Sequence, residues 1–304
     1  MSESAVSPDV SRFATRRPRL GDIVELTKPV TWFPPMWAFM CGVVSSGVSI
    51  SENWMFLVAG IALTGPLVCG TSQVINDYCD RHVDAINEPH RPIPSGRVPG
   101  YWPVGIAVTG AAISLLLAGG LGQWVFIATC VALFSGWAYS ATPFRAKRSG
   151  WFGPLLCALS YEGLSWFTGA SVMLGALPDT SILLVLLLYS LGAHGIMTLN
   201  DFKAVEGDAA TGLRSLPVTL GVRPAAIFAC VVMTAAQFAV IGLLFKETLL
   251  LSAAIVALFT MFQMFLMMRL VGNPAKFAPW YNATGVSLYV FGMLAAALGL
   301  GGYI

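Results

Sequence analysis

The chain has 304 residues, 56% of them hydrophobic and only 11% charged, with a formal net charge of +2 at pH 7. Apolarity sustained along the whole length marks an integral membrane protein, and so small a charge imbalance gives no reason to expect nucleic-acid binding. The six cysteines lie in or beside apolar stretches at no metal-ligand spacing, which excludes a disulfide framework and a thiolate metal site.

Residues 1–27 are polar and basic, with no apolar stretch ahead of the first span. They read as a disordered cytoplasmic tail and not as a cleaved signal peptide. Residues 28–304 are expected to form one transmembrane domain. Apolar runs of about 20 residues, the length that crosses a bilayer, fall near 30–50, 54–76, 101–119, 123–141, 151–176, 180–200, 224–245, 248–271 and 283–303. The expected fold is therefore all-α, with nine transmembrane helices. Pro34-Pro35, Gly65-Pro66 and Gly153-Pro154 soften three of them, which is tolerated where neighbours satisfy the freed backbone groups. With the N-terminus cytoplasmic, 16 of the 17 Lys and Arg residues fall on the cytoplasmic side and only Lys246 lies outside. The C-terminus is then on the opposite face.

The second and sixth spans end in related acidic patterns. Asn76-Asp77-x-x-Asp80-x-x-x-Asp84 closes one and Asn200-Asp201 through Asp208 closes the other, with Asn76, Asp77 and Asp84 each matched 124 positions later. Each pattern is followed by Arg-x-x-Pro, beginning at Arg91 and Arg214. An ionised group at a helix centre in lipid costs about 2.5–3.5 kcal/mol, so carboxylates gathered in this way are expected to share a bound cation. At about 100° per residue, Asn76, Asp77, Asp80 and Asp84 occupy an arc of roughly 100°, and Asp201 and Asp208 align within about 20°. Glu206 lies about 140° from Asp201 on the same count, and Gly207 lets the helix unwind there, so it stands beside the site at best.

Carboxylate and amide oxygens without His or Cys suit a hard cation, and Mg²⁺ takes one or two carboxylates together with waters and phosphate oxygens. Asn76, Asp77, Asp80, Asp84, Asp201 and Asp208 are the candidate ligands, with Asp80, Asp84, Asp201 and Asp208 the candidate catalytic set. Arg91, Lys203, Lys147 and Arg214, all on the cytoplasmic side, are candidates to grip diphosphate oxygens. Metal and cations together would stabilise the charge that grows on a departing diphosphate.

Three separated motifs carry a resemblance. Asp80-Arg81-x-Val83-Asp84-Ala85-Ile86-Asn87-Glu88-Pro89-x-Arg91-Pro92-Ile93-Pro94-Ser95-Gly96, the stretch Tyr139-Ser140-Ala141-x-Pro143 through Lys147, and Asn200-Asp201-Phe202-Lys203-x-Val205-Glu206-Gly207-Asp208 resemble the UbiA superfamily of intramembrane prenyltransferases. The branch they resemble most is that of the chlorophyll and bacteriochlorophyll synthases. Many superfamily members carry an Asp where this chain has Ala204, and this branch is expected to carry a small residue and a Lys there. The resemblance implies nine helices around a central cavity open to lipid, with both acidic motifs under a cytoplasmic cap formed near 85–100 and 202–222. It also implies Mg²⁺, an isoprenoid diphosphate donor and a tetrapyrrole acid acceptor, in a photosynthetic intracytoplasmic membrane. The expected reaction esterifies a propionate, which is already ionised at neutral pH and needs no strong base.

Prenylation of an aromatic acid or quinone precursor on carbon is the alternative within enzymes. A divalent-cation carrier with a repeated acidic pair is the alternative outside them. Trp32, Trp37, Trp151, Tyr161 and Trp166 could line a flat macrocycle pocket and His194 could ligate a chlorin magnesium, but the aromatics read first as interfacial and His194 as an interhelical histidine. Glu162, an acid within the fifth span, is a functional candidate by its position.

Overall fold

A computed structural model describes residues 17–304. Residues 1–16 of the expected tail lie outside the described part. The rest of that tail is not disordered: Leu20–Leu26 form a short helix, α1, with Leu26 buried. The correction has a simple cause, since Leu26 packs with Val74 and Val98 in a small apolar cluster.

Lys28 follows in a left-handed conformation (φ 48°), and a 3-10 turn over Pro29–Thr31 leads into α2, Phe33–Ser45. Pro34 and Pro35 do not soften this helix. They sit in its first turn, where the missing N–H costs nothing. Trp54–Asn87 run as one long rod: α3 (Trp54–Ala62), a π-helical turn (Leu63–Cys69) and α4 (Gly70–Asn87). Pro66 inside the π-turn removes a backbone donor, which accounts for the widened turn. Next come α5 (Trp102–Leu121) and α6 (Gln123–Ser140), joined by Gly122 at φ +126°, a conformation that only glycine adopts readily.

A second interrupted rod holds α7 (Phe152–Ala158), a π-turn (Leu159–Leu164) and α8 (Ser165–Leu174). α9 spans Thr180–Asn200, and a 3-10 turn over Asp201–Lys203 leads to the short α10 (Val205–Thr211) and α11 (Leu216–Leu220). The chain ends with α12 (Val222–Lys246), α13 (Leu250–Gly272) and α14 (Pro274–Leu300). Among the described residues there is no strand, only an isolated bridge between Ser149 and Arg214.

Among the described residues six helical segments are long and apolar enough to cross a membrane: 54–87, 102–121, 180–203, 222–246, 250–272 and 274–300. The stretches expected at 30–50, 123–141 and 151–176 are helical over Phe33–Ser45, Gln123–Ser140 and Phe152–Leu174 but fall outside that group. Packing is closest where side chains vanish. A Cβ on Gly42 would lie 2.0 Å from the Trp166 carbonyl oxygen, and one on Gly169 would lie 2.1 Å from that of Phe39, so α2 and α8 touch backbone to backbone. Trp166 is fully buried beside this contact and donates its indole N–H to Ser45 Oγ at 3.0 Å. Between α12 and α13, Gln237 donates to the Gln263 side-chain oxygen and accepts from Thr260 Oγ1 at 3.1 Å.

Candidate active site

Both π-turns face one cavity of about 500 Å³. Its inner wall is apolar or weakly polar, with Leu63, Val68, Ala128, Leu164 and Met197, while its other end gathers Asn76, Asp80, Lys147, Asn200, Asp201 and Asp208. The two acidic motifs thus meet across a single space although they lie more than a hundred residues apart in sequence. α4 supplies Asn76 and Asp80; the end of α9, the turn after it and α10 supply Asn200, Asp201 and Asp208. A π-turn carries one extra residue per turn and re-aims the side chains around it, which is how Cys69 and Tyr161 come to line the same wall. Gln73 donates to the Tyr161 hydroxyl at 2.9 Å, tying α4 to the second π-turn.

The α4 carboxylates each carry their own basic partner. Asp80 accepts from Lys147, and from Arg145 Nη2 at 3.3 Å. Asp84 accepts from Arg91 Nη1 at 2.8 Å. Asp77, only 2% exposed, accepts from Lys28 Nζ at 2.5 Å and lies 3.6 Å from Arg91. Of the three non-glycine residues with positive φ among those described, two are Lys28 and Arg145. A left-handed backbone at such a residue costs on the order of 1–3 kcal/mol and persists only where its surroundings hold it; here it delivers a cation to the acidic motif.

Of the residues singled out in the sequence, the cavity therefore brings together Asn76, Asp80, Asp201, Asp208 and Lys147. Asp77 and Asp84 on α4 form a separate network with Arg91 from the turn that follows. Lys203 is exposed in the turn after α9 and Arg214 is exposed on the far side of the 148–150 segment; neither lines the cavity. Lys28 and Arg145, which no repeated spacing singles out in the sequence, reach the acidic motif only in the fold. Asn200 was visible as the partner of Asn76 in the repeat.

The loop after α4 is locked from outside. Arg97 bonds Asp22 at 2.7 Å and both Glu25 oxygens at 2.5 and 2.6 Å, so α1 straps the proline-rich turn that carries Arg91. The Arg97 hydrogen bond holds both carboxyls below their ordinary range. A depressed carboxyl favours the folded state above its unfolded value, and that contribution disappears as pH falls through the depressed one. Amide exchange in α1, corrected for intrinsic rates, should accordingly rise below about pH 4, and Arg97→Met should show the raised exchange already at neutral pH.

An all-oxygen donor set of two amides and three carboxylates fits Mg²⁺, whose remaining positions go to water and phosphate oxygens. Among the described residues no three of His, Cys, Asp and Glu form a ready-made metal cage.

The comparisons with known proteins agree with this geometry. Residues 32–284 match the model of the UbiA prenyltransferase family. The chain belongs to that family. As a UbiA prenyltransferase it is an enzyme, which sets aside the cation-carrier alternative. It is 53% identical over 280 residues to the bacteriochlorophyll synthase 33 kDa chain of Cereibacter sphaeroides, covering 92% of this chain and 93% of that protein. To the bacteriochlorophyll synthase 33 kDa chain of Rhodobacter capsulatus it is 52% identical, covering 100% and 99%. In fold this UbiA chain resembles a UbiA homologue from Archaeoglobus fulgidus solved with GPP and Mg²⁺, at a TM-score of 0.68 and 18% identity, covering 90% of this chain and 99% of the other.

Proposed function

We propose that this enzyme transfers a C20 prenyl group from geranylgeranyl or phytyl diphosphate to the propionate of bacteriochlorophyllide or chlorophyllide a. The observation that carries the reading is the cavity itself, apolar within and closed at one end by facing acidic and amide groups beside Lys147. The identity to two bacteriochlorophyll synthases over nearly the full length supports the choice of acceptor.

In this proposal Asn76, Asp80, Asp201 and Asp208 hold Mg²⁺, and Lys147, the basic candidate that lines the same cavity, neutralises diphosphate. Asp77 and Asp84 on α4 hold Lys28 and Arg91, from the segments before α2 and after α4, in place. When bound, the metal adds positive charge where the leaving group gathers electrons. Lys147 keeps an ammonium at the wall against which those oxygens come to rest. The allylic C–O bond breaks with its electron pair going to diphosphate, and an oxygen of the ionised propionate forms the new C–O bond. No proton moves, so the site needs no general base. The apolar wall holds the chain extended and keeps water from the allylic carbon, which would otherwise end as an alcohol.

The same proposal keeps nine spans, with the loops near 85–100 and 202–222 as a cytoplasmic cap. It puts the chain in the photosynthetic intracytoplasmic membrane, N-terminus inside and C-terminus on the opposite face. The charge bias along the sequence supports that orientation.

Purified protein in detergent, given geranylgeranyl diphosphate, Mg²⁺ and both pigments in competition, should release one diphosphate per pigment esterified. Failure to esterify either pigment, with carbon prenylation of an aromatic acid instead, would refute the proposal.

A further inference from the structure

A second groove, of about 740 Å³, lies on the other side of the 149–150 segment. It runs between the end of α6 and α7 and is bordered by Phe144, Trp151, Phe152 and Leu159, with three arginines, Arg145, Arg148 and Arg214, and no acidic residue among its lining. Phe144, Trp151 and Phe152 are 61%, 47% and 70% exposed, an open aromatic shelf. Exposed aromatics alone would mean only a membrane interface. Three cations along the same apolar slot say more, because they ask for a flat apolar ligand that carries negative charge.

Arg145 links this groove to the cavity. It lines the groove, yet its Nη2 reaches Asp80 at 3.3 Å, and its Nε is buried with no hydrogen-bond partner. A buried guanidinium N–H left unpaired costs about 1–3 kcal/mol or more, so the partly exposed guanidinium gains by turning that edge to an acceptor oxygen in the groove. Its backbone is left-handed (φ 40°). Ser149, Gly150 and Leu156 line both spaces, so the two are one residue layer apart. The cavity, at about 500 Å³, is sized for one ligand, and the prenyl chain already claims it.

We propose that the groove between α6 and α7 is the acceptor site, which seats a tetrapyrrole ring on Phe144, Trp151 and Phe152 with its carboxylate on Arg145. The inference rests on the esterification reading above. It assigns Arg145 as the residue that brings the attacking oxygen to the diphosphate end of the cavity, one guanidinium away from Asp80. Arg148 and Arg214 supply the positive field along the rim.

The test measures binding of chlorophyllide a and of its uncharged methyl ester by fluorescence quenching, in detergent without donor. Wild type should bind the acid about tenfold more tightly than the ester, the scale of one charge-assisted hydrogen bond. Arg145→Met should erase that difference. Thr219→Trp, an exposed groove position, should weaken both pigments about tenfold by steric filling while geranylgeranyl diphosphate binding stays within twofold. If Arg145→Met does not fold, Arg145→Lys replaces it; it keeps the charge, lacks the Nε–H edge, and should still lose most of the discrimination. Unchanged pigment binding in these variants overturns the inference, as does displacement by phosphatidylglycerol with no loss of pigment turnover, which would make the groove a lipid seat. In both of those cases wild type still esterifies pigment and the functional reading survives; a wild type that esterifies nothing removes that reading instead.

Discussion

Replacing Asp80 by asparagine is expected to stop prenyl transfer while the protein stays folded. Asp80 is the one α4 carboxylate that lines the cavity, and it stands opposite Asp201 and Asp208. Losing its charge removes one of the proposed metal ligands and leaves Lys147 and Arg145 without their shared counter-ion. Removal of one preorganised electrostatic group typically costs about 10²–10³ in kcat, and loss of the ion as well should push the effect to the upper end. Two measurements check this. Turnover should fall by roughly three orders of magnitude, and Mn²⁺ binding followed by electron paramagnetic resonance should weaken in parallel. Asp77 makes the contrast. It is 2% exposed and paired with Lys28, away from the cavity, so Asp77→Ala breaks a buried pair and should cost about 3–5 kcal/mol of stability. An Asp80→Asn enzyme that kept full activity and metal affinity would remove the proposed site.

Gly169→Leu should prevent the protein from reaching its folded state. A Cβ there would meet the Phe39 carbonyl oxygen at 2.1 Å and the Val43 nitrogen at 2.9 Å, and backbone atoms cannot rotate aside. Gly42 presents the same obstacle in reverse, against Trp166 and Ala170. Separating α2 from α8 would also uncover Trp166 and break its bond to Ser45, so the loss should exceed the about 1–3 kcal/mol of ordinary overpacking. Size-exclusion chromatography of detergent extracts checks it. A sharp peak at wild-type yield would show that the helices can part. Gly105→Leu, with nothing within 4 Å of its Cβ, is the matched control and should leave yield unchanged.

Much of this was legible in the residues because membrane helices write their length and polarity plainly. The runs at 180–200, 224–245 and 248–271 correspond to α9, α12 and α13 within a few residues. The spacing of Asn76, Asp77, Asp80, Asp84, Asp201 and Asp208 points all six to one place, and Asn76, Asp80, Asp201 and Asp208 line one cavity while Asp77 and Asp84 do not. What stayed hidden depends on contacts distant in sequence. Leu26 looks like one apolar residue in a polar tail until Val74 and Val98 are placed around it. The Gly153-Pro154 pair suggested where the fifth span weakens, yet the π-turn falls later, at Leu159–Leu164, around Glu162 and Gly163. Glu162 ends up 7% exposed, which no periodicity would have shown. The left-handed turns at Lys28 and Arg145 leave no trace in composition, because any residue type can be forced there by its neighbours.

The link between the 148–150 segment and Arg214 bears on the order in which the site is made. Gly150 donates to the Arg214 carbonyl at 2.8 Å and Arg214 donates back to Arg148 at 3.1 Å, so the segment between cavity and groove is pinned by a piece of chain from the second half. During synthesis at ~5–20 residues per second, Asp80 emerges many seconds before Asp201 exists to face it. Arg145 and Lys147 follow within that interval, so Asp80 has both of its counter-charges before Asp201 and Asp208 are made. The pairing of acid with base on the first half of the chain thus precedes the arrival of the opposite wall.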